Sequence, residues 1–175
     1  MVDQTTGWVG GDEGRIYRTT DAAKSWECQR DTKGAQPNYS EAITSIWMLD
    51  RTVGWAVGYG GLVLATKSGD KEWTRIEIAG FGGCHWNRIL FLNERSGFIA
   101  GQGLLATDDG GAHWRDIRPP DSGHKWLADM CSVGNESGVQ GVYALSADGR
   151  LVEVANADHN LSSSRVTVKS VFAEG

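Results

Sequence analysis

The chain has 175 residues and a formal charge of −5 with no run of like charge, enough for one domain with a real core. No Lys/Arg cluster supplies the basic face of a nucleic-acid binder, and no apolar stretch of about eighteen residues is present to span a membrane as a helix. Gly is abundant at 24, Trp is high at 8 and Pro is scarce at 3, a balance that suits short strands joined by tight turns.

The first residues, Met1-Val2-Asp3-Gln4-Thr5-Thr6, form neither a charged n-region nor an apolar h-region. Either the chain is cytosolic, or an address was removed or lies outside it. Cys28, Cys84 and Cys131 are odd in number and show no CxxC spacing, so neither a disulfide framework nor a zinc knuckle is expected.

Taken in chain order, the sequence repeats itself. The first unit reads Gly7-Trp8-Val9-Gly10-Gly11 and then runs from Gly14 through Thr19 and Asp21 to Trp26. The second reads Gly54-Trp55-Ala56-Val57-Gly58, then Gly61 through Thr66, ending at Trp73. The third reads Gly97-Phe98-Ile99-Ala100-Gly101, then Gly103 through Thr107 to Trp114, and a fourth begins near Gly141 with a turn at Asp148-Gly149. The intervals from Gly7 to Gly54, Gly97 and Gly141 are 47, 43 and 44 residues. That period, with several short strands inside it, is the spacing of β-propeller blades.

Each period divides into four strands. Strand A is an apolar run, 43–49, 86–92 and 127–133, expected to be packed on both faces. Strand B is the Gly-Trp-Ala-Val-Gly segment, and strand C is the Leu-Val-Leu-Ala-Thr segment. Strand D, as in 73–78, alternates apolar and polar residues like a half-exposed outer strand. A helical reading fails because Gly recurs inside every apolar segment and no 3.6-residue stripe persists. The fold class is therefore all-β, a single propeller-like repeat domain over 1–175. Its blades fall at about 5–32, 40–79, 84–119 and 126–173.

The C–D hairpin carries a specific motif. Thr107-x-Asp109-x-Gly111-x-x-Trp114 fits Ser/Thr-x-Asp-x-Gly-x-x-Trp. The Asp carboxylate can accept amides of its own turn, Gly110 and Gly111 permit positive φ, and the Trp ring can fold back and bury a large area. Unit one keeps Thr19, Asp21 and Trp26 with Ala23 at the Gly position. Unit two keeps Thr66 and Trp73 with Ser68 in place of Asp, and unit four has no recognisable copy.

At these residues, over roughly 5–155, the chain resembles the Asp-box (BNR) repeat superfamily. The fuller string is most similar to the photosystem II stability/assembly factor family. The resemblance implies a non-enzymatic seven-bladed propeller, and a thylakoid lumen, periplasmic or extracellular setting if an address was removed. Sialidases, xyloglucanases and sortilin-like receptors also carry Asp-boxes. Seven blades need roughly 300 residues, so this chain is either a fragment or closes in an unusual way. Its tail, 164–172, can serve as strand D of unit four or cross over to become strand A of unit one, and the first is favoured.

Propeller ligands usually bind near the axis, where loops into strand A and the B–C turns converge. Those loops hold Tyr39, Glu41, His85, Trp86 and Trp126, and counting back along strand A puts Ser45, Arg88 and Asp129 at equivalent positions. The binding candidates are therefore Tyr39, Glu41, His85, Trp86, Arg88, Trp126 and Asp129. The competing structural reading makes Trp86 and Trp126 packing residues and Arg88–Asp129 a salt bridge without a ligand. Glu41 and Asp129 are the only carboxylates on inner elements, and glycoside hydrolysis needs such a pair at about 5–10 Å.

No catalytic residue is assigned, and neither a cofactor nor a metal is expected: His85, His113, His124 and His159 have no close ligand partner in sequence. The function expected is a scaffold that binds a protein partner, with self-association through open blade edges. The alternative is a carbohydrate-binding or glycoside-hydrolysing fragment.

Overall fold

A computed structural model describes residues 2–31, 41–69, 72–118, 126–135, 138–155 and 165–170. They form strands, with a 3-10 turn at Asp12–Gly14. The chain divides into two compact units, Met1–Trp86 and Asn87–Gly175.

In the first unit, β1 (Gly7–Gly10), β2 (Ile16–Thr19) and β3 (Glu27–Arg30) make a three-stranded antiparallel sheet in that order. The second sheet is the full meander β4 (Ile43–Met48), β5 (Gly54–Gly58), β6 (Val63–Thr66) and β7 (Thr74–Arg75). In these residues the four-stranded blade expected from the repeat takes shape. The first sheet lacks a strand A among the described residues.

The register within each hairpin fixes which side chains share a face. Trp8 pairs with Arg18 and Gly10 with Ile16, so Trp8 and Ile16 lie on one face, while Val9 pairs with Tyr17 on the other. Ala56 pairs with both Ile46 and Leu64. The two faces meet in one apolar cluster of Ile16, Ala56, Leu62 and Leu64, with Trp8, Ile43, Ile46 and Trp73 packed against it. The Trp8/Ile16 face of the first sheet thus buries itself on the Ala56/Leu64 face of the second. Each large side chain so buried contributes about 1.5–3 kcal/mol.

In the second unit, β8 (Trp86–Phe91, entering from the boundary), β9 (Gly97–Gly101), β10 (Leu104–Thr107) and β11 (Arg115–Asp116) form one meander. A second is formed by β12 (Leu127–Asn135), β13 (Gly138–Ser146), β14 (Arg150–Ala155) and β15 (Arg165–Ser170). The tail pairs with β14 from Arg150↔Ser170 to Ala155↔Arg165. It is strand D of its own sheet, as favoured, and residues 164, 171 and 172 of that expectation lie outside the described residues.

Two expectations about the strands need correction. Strand A is not deeply buried in every sheet: β8 is buried at Trp86 and Ile89–Phe91, but β4 is half-buried along its whole length and β12 is largely exposed past Met130. Complete burial falls on strands B and C instead, at Gly54–Gly58, Gly97–Gly101 and Leu104–Thr107. The reason is position in the meander: B and C have a strand on either side, whereas A is an edge. Strand D is also shorter than read, covering Thr74–Arg75 rather than 73–78. Its ladder ends after one further bond, Ile76 amide to Val63 carbonyl, repeated as Ile117 to Leu104 in the third sheet.

The strand-B glycines are spaces as much as turns. A Cβ on Gly58 would strike the Ala42 carbonyl, which is backbone, whereas one on Gly54 would strike chiefly the flexible end of the Met48 side chain and come only to the edge of contact with the Trp47 carbonyl. Gly58→Ala is therefore expected to destabilise the protein by about 3 kcal/mol and Gly54→Ala by about 1 kcal/mol. Urea unfolding of the two variants side by side checks the order.

Candidate functional site

The Asp-box hairpin builds as its residue types require. Asp109 Oδ1 accepts the Thr107 hydroxyl at 2.8 Å and the His113 amide at 2.9 Å, and Oδ2 meets His113 Nδ1 at 2.6 Å. The Thr107 hydroxyl in turn accepts the Gly111 amide at 2.9 Å. Gly110 and Gly111 have φ of 75° and 88°, and the Trp114 indole N–H donates back to the Gly111 carbonyl at 3.0 Å. Burial alone would raise the Asp109 pKa, but the His113 and Thr107 hydrogen bonds outweigh it and hold it at about 2.

The first hairpin repeats this with Thr19, Asp21, and the amide and hydroxyl of Ser25. The Ser25 hydroxyl, then its amide and the Thr19 hydroxyl, hold Asp21 at about 2. Two departures are visible. Trp26 is 41% exposed, so its ring does not bury the area expected of it. Ala22 and Ala23, where the third unit has glycines, sit at φ of 60° and 67°, a region that costs a Cβ-bearing residue about 1–2 kcal/mol. In the second unit Thr66 accepts the Ser68 and Gly69 amides without an Asp, and Gly69 carries the positive φ of 65°. Its Trp73 packs on the apolar cluster, and the indole N–H reaches Gln29 Oε1 at 3.4 Å.

A second repeated turn escaped the sequence reading. Asp50 Oδ1 accepts the Thr52 and Val53 amides at 2.6 and 2.8 Å. Asn93 Oδ1 does the same for Arg95 and Ser96, and Asp3 Oδ1 for Thr5 and Thr6. The backbone bond that closes each turn also repeats: Val2 to Thr6, Leu49 to Val53, Leu92 to Ser96. The signal was present, an Asp or Asn four residues before the strand-B glycine in all three units. Arg51 chiefly, with the Thr5 amide, holds the Asp3 carboxyl well below its ordinary range. The Val53 and Thr52 amides lower that of Asp50.

Of the candidates on or beside strand A, the structure joins Arg88 and Asp129. Arg88 Nε lies 2.6 Å from Asp129 Oδ1, and both side chains are substantially exposed. Arg88 and then the Met130 amide lower the Asp129 carboxyl. A bulge between Leu127 and Asp129 aims this residue, and β4 has the same irregularity between Ile43 and Ser45. Asp129 and Ser45 therefore occupy corresponding places. Beside each bulge, strand A receives a side-chain tie. Thr44 Oγ1 donates to the Trp86 carbonyl at 2.6 Å, and Asn87 Nδ2 to the Leu127 carbonyl at 2.7 Å.

The other candidates have local partners of their own. Glu41 accepts Arg75 Nη1 at 2.6 Å, which ties it to β7 at the D side of its sheet. Trp86 is fully buried, tilted on Phe81 with ring centroids 5.8 Å apart, and so packs rather than faces a ligand. His85 stacks edge-on against Tyr59 at 4.8 Å, and its Nδ1 accepts the Gly60 amide at 3.4 Å. Trp126 is half-buried, and its carbonyl accepts the Ala147 amide. Tyr39 and His124 lie outside the described residues. A cavity of about 300 Å³ in the first unit is lined by Val2, Trp8, Ile46, Trp47 and Met48, none of them a sequence candidate. Among the described residues no three His, Cys, Asp or Glu side chains converge as a metal cradle.

Residues 1–81 match the family described as photosynthesis system II assembly factor YCF48. No curated protein matches the chain. Among solved structures it is similar to YCF48 bound to D1 peptide, at 16% identity and a TM-score of 0.57 over 97% of this chain and 67% of that one. It is similar to YCF48 from Cyanidioschyzon merolae at 15% identity and a TM-score of 0.62, covering 93% of this chain and 54% of the other. An ancestral GH74 enzyme superposes at 15% identity and a TM-score of 0.68, over 98% of this chain and 25% of the enzyme. The chain thus carries part of a β-propeller of the Asp-box type, like that of the assembly factor, and spans from a quarter to two thirds of these structures.

Two expected outcomes follow from the hairpins. Ala22→Gly and Ala23→Gly relieve the positive-φ strain, so each is expected to stabilise the protein by about 1 kcal/mol, less the entropy gained by the unfolded chain; denaturant titration reads this. Asp109 is held below its ordinary 3.8, so its contribution to stability is complete above about pH 4 and is lost as the pH falls through about 2. Unfolding midpoints followed from neutral pH to pH 2 should show this loss, and Asp109→Asn should flatten that part of the curve.

Proposed function

We propose that this chain is a non-catalytic propeller scaffold whose work is to bind a protein partner. The observation that carries the reading is the state of its carboxylates. Asp3, Asp21, Asp50, Asp109 and Asp129 are all shifted downward by hydrogen bonds or an arginine, and Glu41 is tied to Arg75. A glycosidase acid needs the opposite, a carboxyl whose pKa is raised toward neutrality. Carboxylates spent on turns and ion pairs hold a surface in shape and leave recognition to what that surface displays. The match of residues 1–81 to the assembly-factor family, and the likeness to a member bound to D1 peptide, supports a polypeptide as the ligand.

A second reading, a piece of a carbohydrate-binding or glycoside-hydrolysing propeller, draws on the superposition with the GH74 enzyme. Two assays separate them. The purified chain should hydrolyse no sialoside or β-glucan above a boiled control. It should also bind a labelled D1 peptide in fluorescence anisotropy, with affinity falling about tenfold or more in Arg88→Ala, which loses an exposed charged contact. Turnover that disappears in Glu41→Gln or Asp129→Asn would overturn the scaffold reading. Absence of peptide binding by the folded chain would overturn the polypeptide ligand.

A further inference from the structure

Backbone hydrogen bonds stitch several loops of the first unit into one continuous strip. The Gly11 carbonyl, in the turn between β1 and β2, accepts the Ile43 amide at 3.0 Å, and the Ala42 carbonyl accepts the Tyr59 amide at 3.0 Å. From the turn between β5 and β6, the Gly61 amide donates to the Cys84 carbonyl at 2.6 Å. The segments that lead into β4 and β8 are thus each clamped to a turn between an earlier pair of strands. All of these residues lie within Met1–Trp86.

Two glycines on the strip have no part in holding it. Gly82 is exposed, its φ is outside the left-handed region, and a Cβ added there would meet nothing within 4 Å. Gly11 has extended backbone with φ of −145° and the same open space. Gly61 is different: it carries a φ of +74°, and its Cβ would press on the Gly83 nitrogen. A glycine that neither a backbone angle nor a neighbour requires leaves the main chain bare for close approach from outside. The amides of Gly82 and Gly83 take no part in the two turns of their segment. Those are closed by the Phe81 amide on the Ile78 carbonyl and the Cys84 amide on the Phe81 carbonyl.

Tyr59 stands between the two glycines along this chain of bonds, 37% exposed, with its ring edge-on to His85. The charges beside the strip are acidic on balance. Arg15 lies between Glu13 and Asp31, at 2.6 and 3.9 Å, and Arg75 between Glu41 and Glu77, both at 2.6 Å. Each of these arginines therefore has two carboxylates. Asp12, in the turn between β1 and β2, adds an exposed carboxylate with no ion pair among the described residues, while Arg30 gives its Nη1 to the Gly14 carbonyl.

We propose that this strip is a docking site for an extended polypeptide segment that carries Lys or Arg. The bare backbone at Gly11 and Gly82 lets a main chain approach, and the Gly82 and Gly83 amides donate to its carbonyls. Tyr59 and the surplus carboxylates receive its cationic side chains. The proposal rests on the polypeptide reading given above and adds where the segment lies and what charge it bears.

The probe is a labelled octapeptide of alternating Lys and Ala, compared with its Glu–Ala counterpart by fluorescence anisotropy. The Lys peptide should bind, and the Glu peptide should bind about tenfold more weakly or less. Gly82→Val and Tyr59→Ala should each weaken the Lys peptide about tenfold, with circular dichroism confirming the fold of each variant. Gly82→Ala, which adds a single methyl group in open space, serves if the valine disturbs folding. In nitrogen–proton correlation spectra the Lys peptide should shift the Gly11, Gly82 and Gly83 amides. Lys-peptide binding that is unchanged in the Gly82 and Tyr59 variants, or equal binding of the Glu peptide, overturns the proposal. So does a chain that binds the D1 peptide but not the Lys peptide, an outcome that leaves the polypeptide reading standing. A folded chain that binds neither peptide removes both.

Discussion

The recurring turns that lead into strand B and that join strands C and D are closed by a side-chain oxygen accepting the amides of its own turn, and the rest of the structure depends on that interaction. In the second and third sheets strands B and C are buried along almost their whole length, so the chain must reverse within a few residues without leaving donors unpaired beside an apolar layer. Thr107 with Asp109 does this between strands C and D, Asp50 and Asn93 do it between A and B, and Asp3 does it ahead of β1. Ser146 does so in the fourth sheet, where its hydroxyl bonds Asp148 and accepts the Arg150 amide. With the reversals fixed, register follows, and register decides which side chains meet the neighbouring sheet.

The same economy governs the candidate site. A carboxylate that accepts two amides, or that lies 2.6 Å from a guanidinium, is stabilised in its ionised form and is a poor proton donor near neutral pH. Arg88 and Asp129 meet because a bulge sets the strand-A side chain after it, and the bulge recurs at Ile43/Ser45, where the residue is an uncharged serine. The backbone offers one position repeatedly, and the residue placed there decides whether it carries charge.

How much of this could be read beforehand tracks the range of the interactions involved. The period, the strand-B and strand-C segments, the Asp-box and the pairing of the tail with β14 rest on neighbours within a few residues or on a regular interval. The Asp50-type turn is equally local and was legible, but its residue alternates between Asp and Asn, and attention fell on the motif with the tryptophan. The Arg75–Glu41 pair spans 34 residues and has no sequence signature. Strand A looked like the core because apolar content was taken for burial. An edge strand with one sheet neighbour is covered only as far as something packs on its faces, so β4 stays half-buried while β8 is largely buried.

The alanines at 22 and 23 have a meaning for how such repeats diverge. Their turn keeps its shape although both residues occupy a backbone region that favours glycine, because Thr19 and Asp21 fix the loop from four directions. A turn constrained by more bonds than it needs can absorb an unfavourable substitution without changing course. Individual blades are then free to drift toward the demands of whatever they touch, and the repeat can become nearly unrecognisable in one blade while its neighbours keep it. The second hairpin has no aspartate at the corresponding place but keeps Thr66 and a glycine at the critical angle. The hydrogen-bond surplus in each turn acts as a store of evolutionary slack.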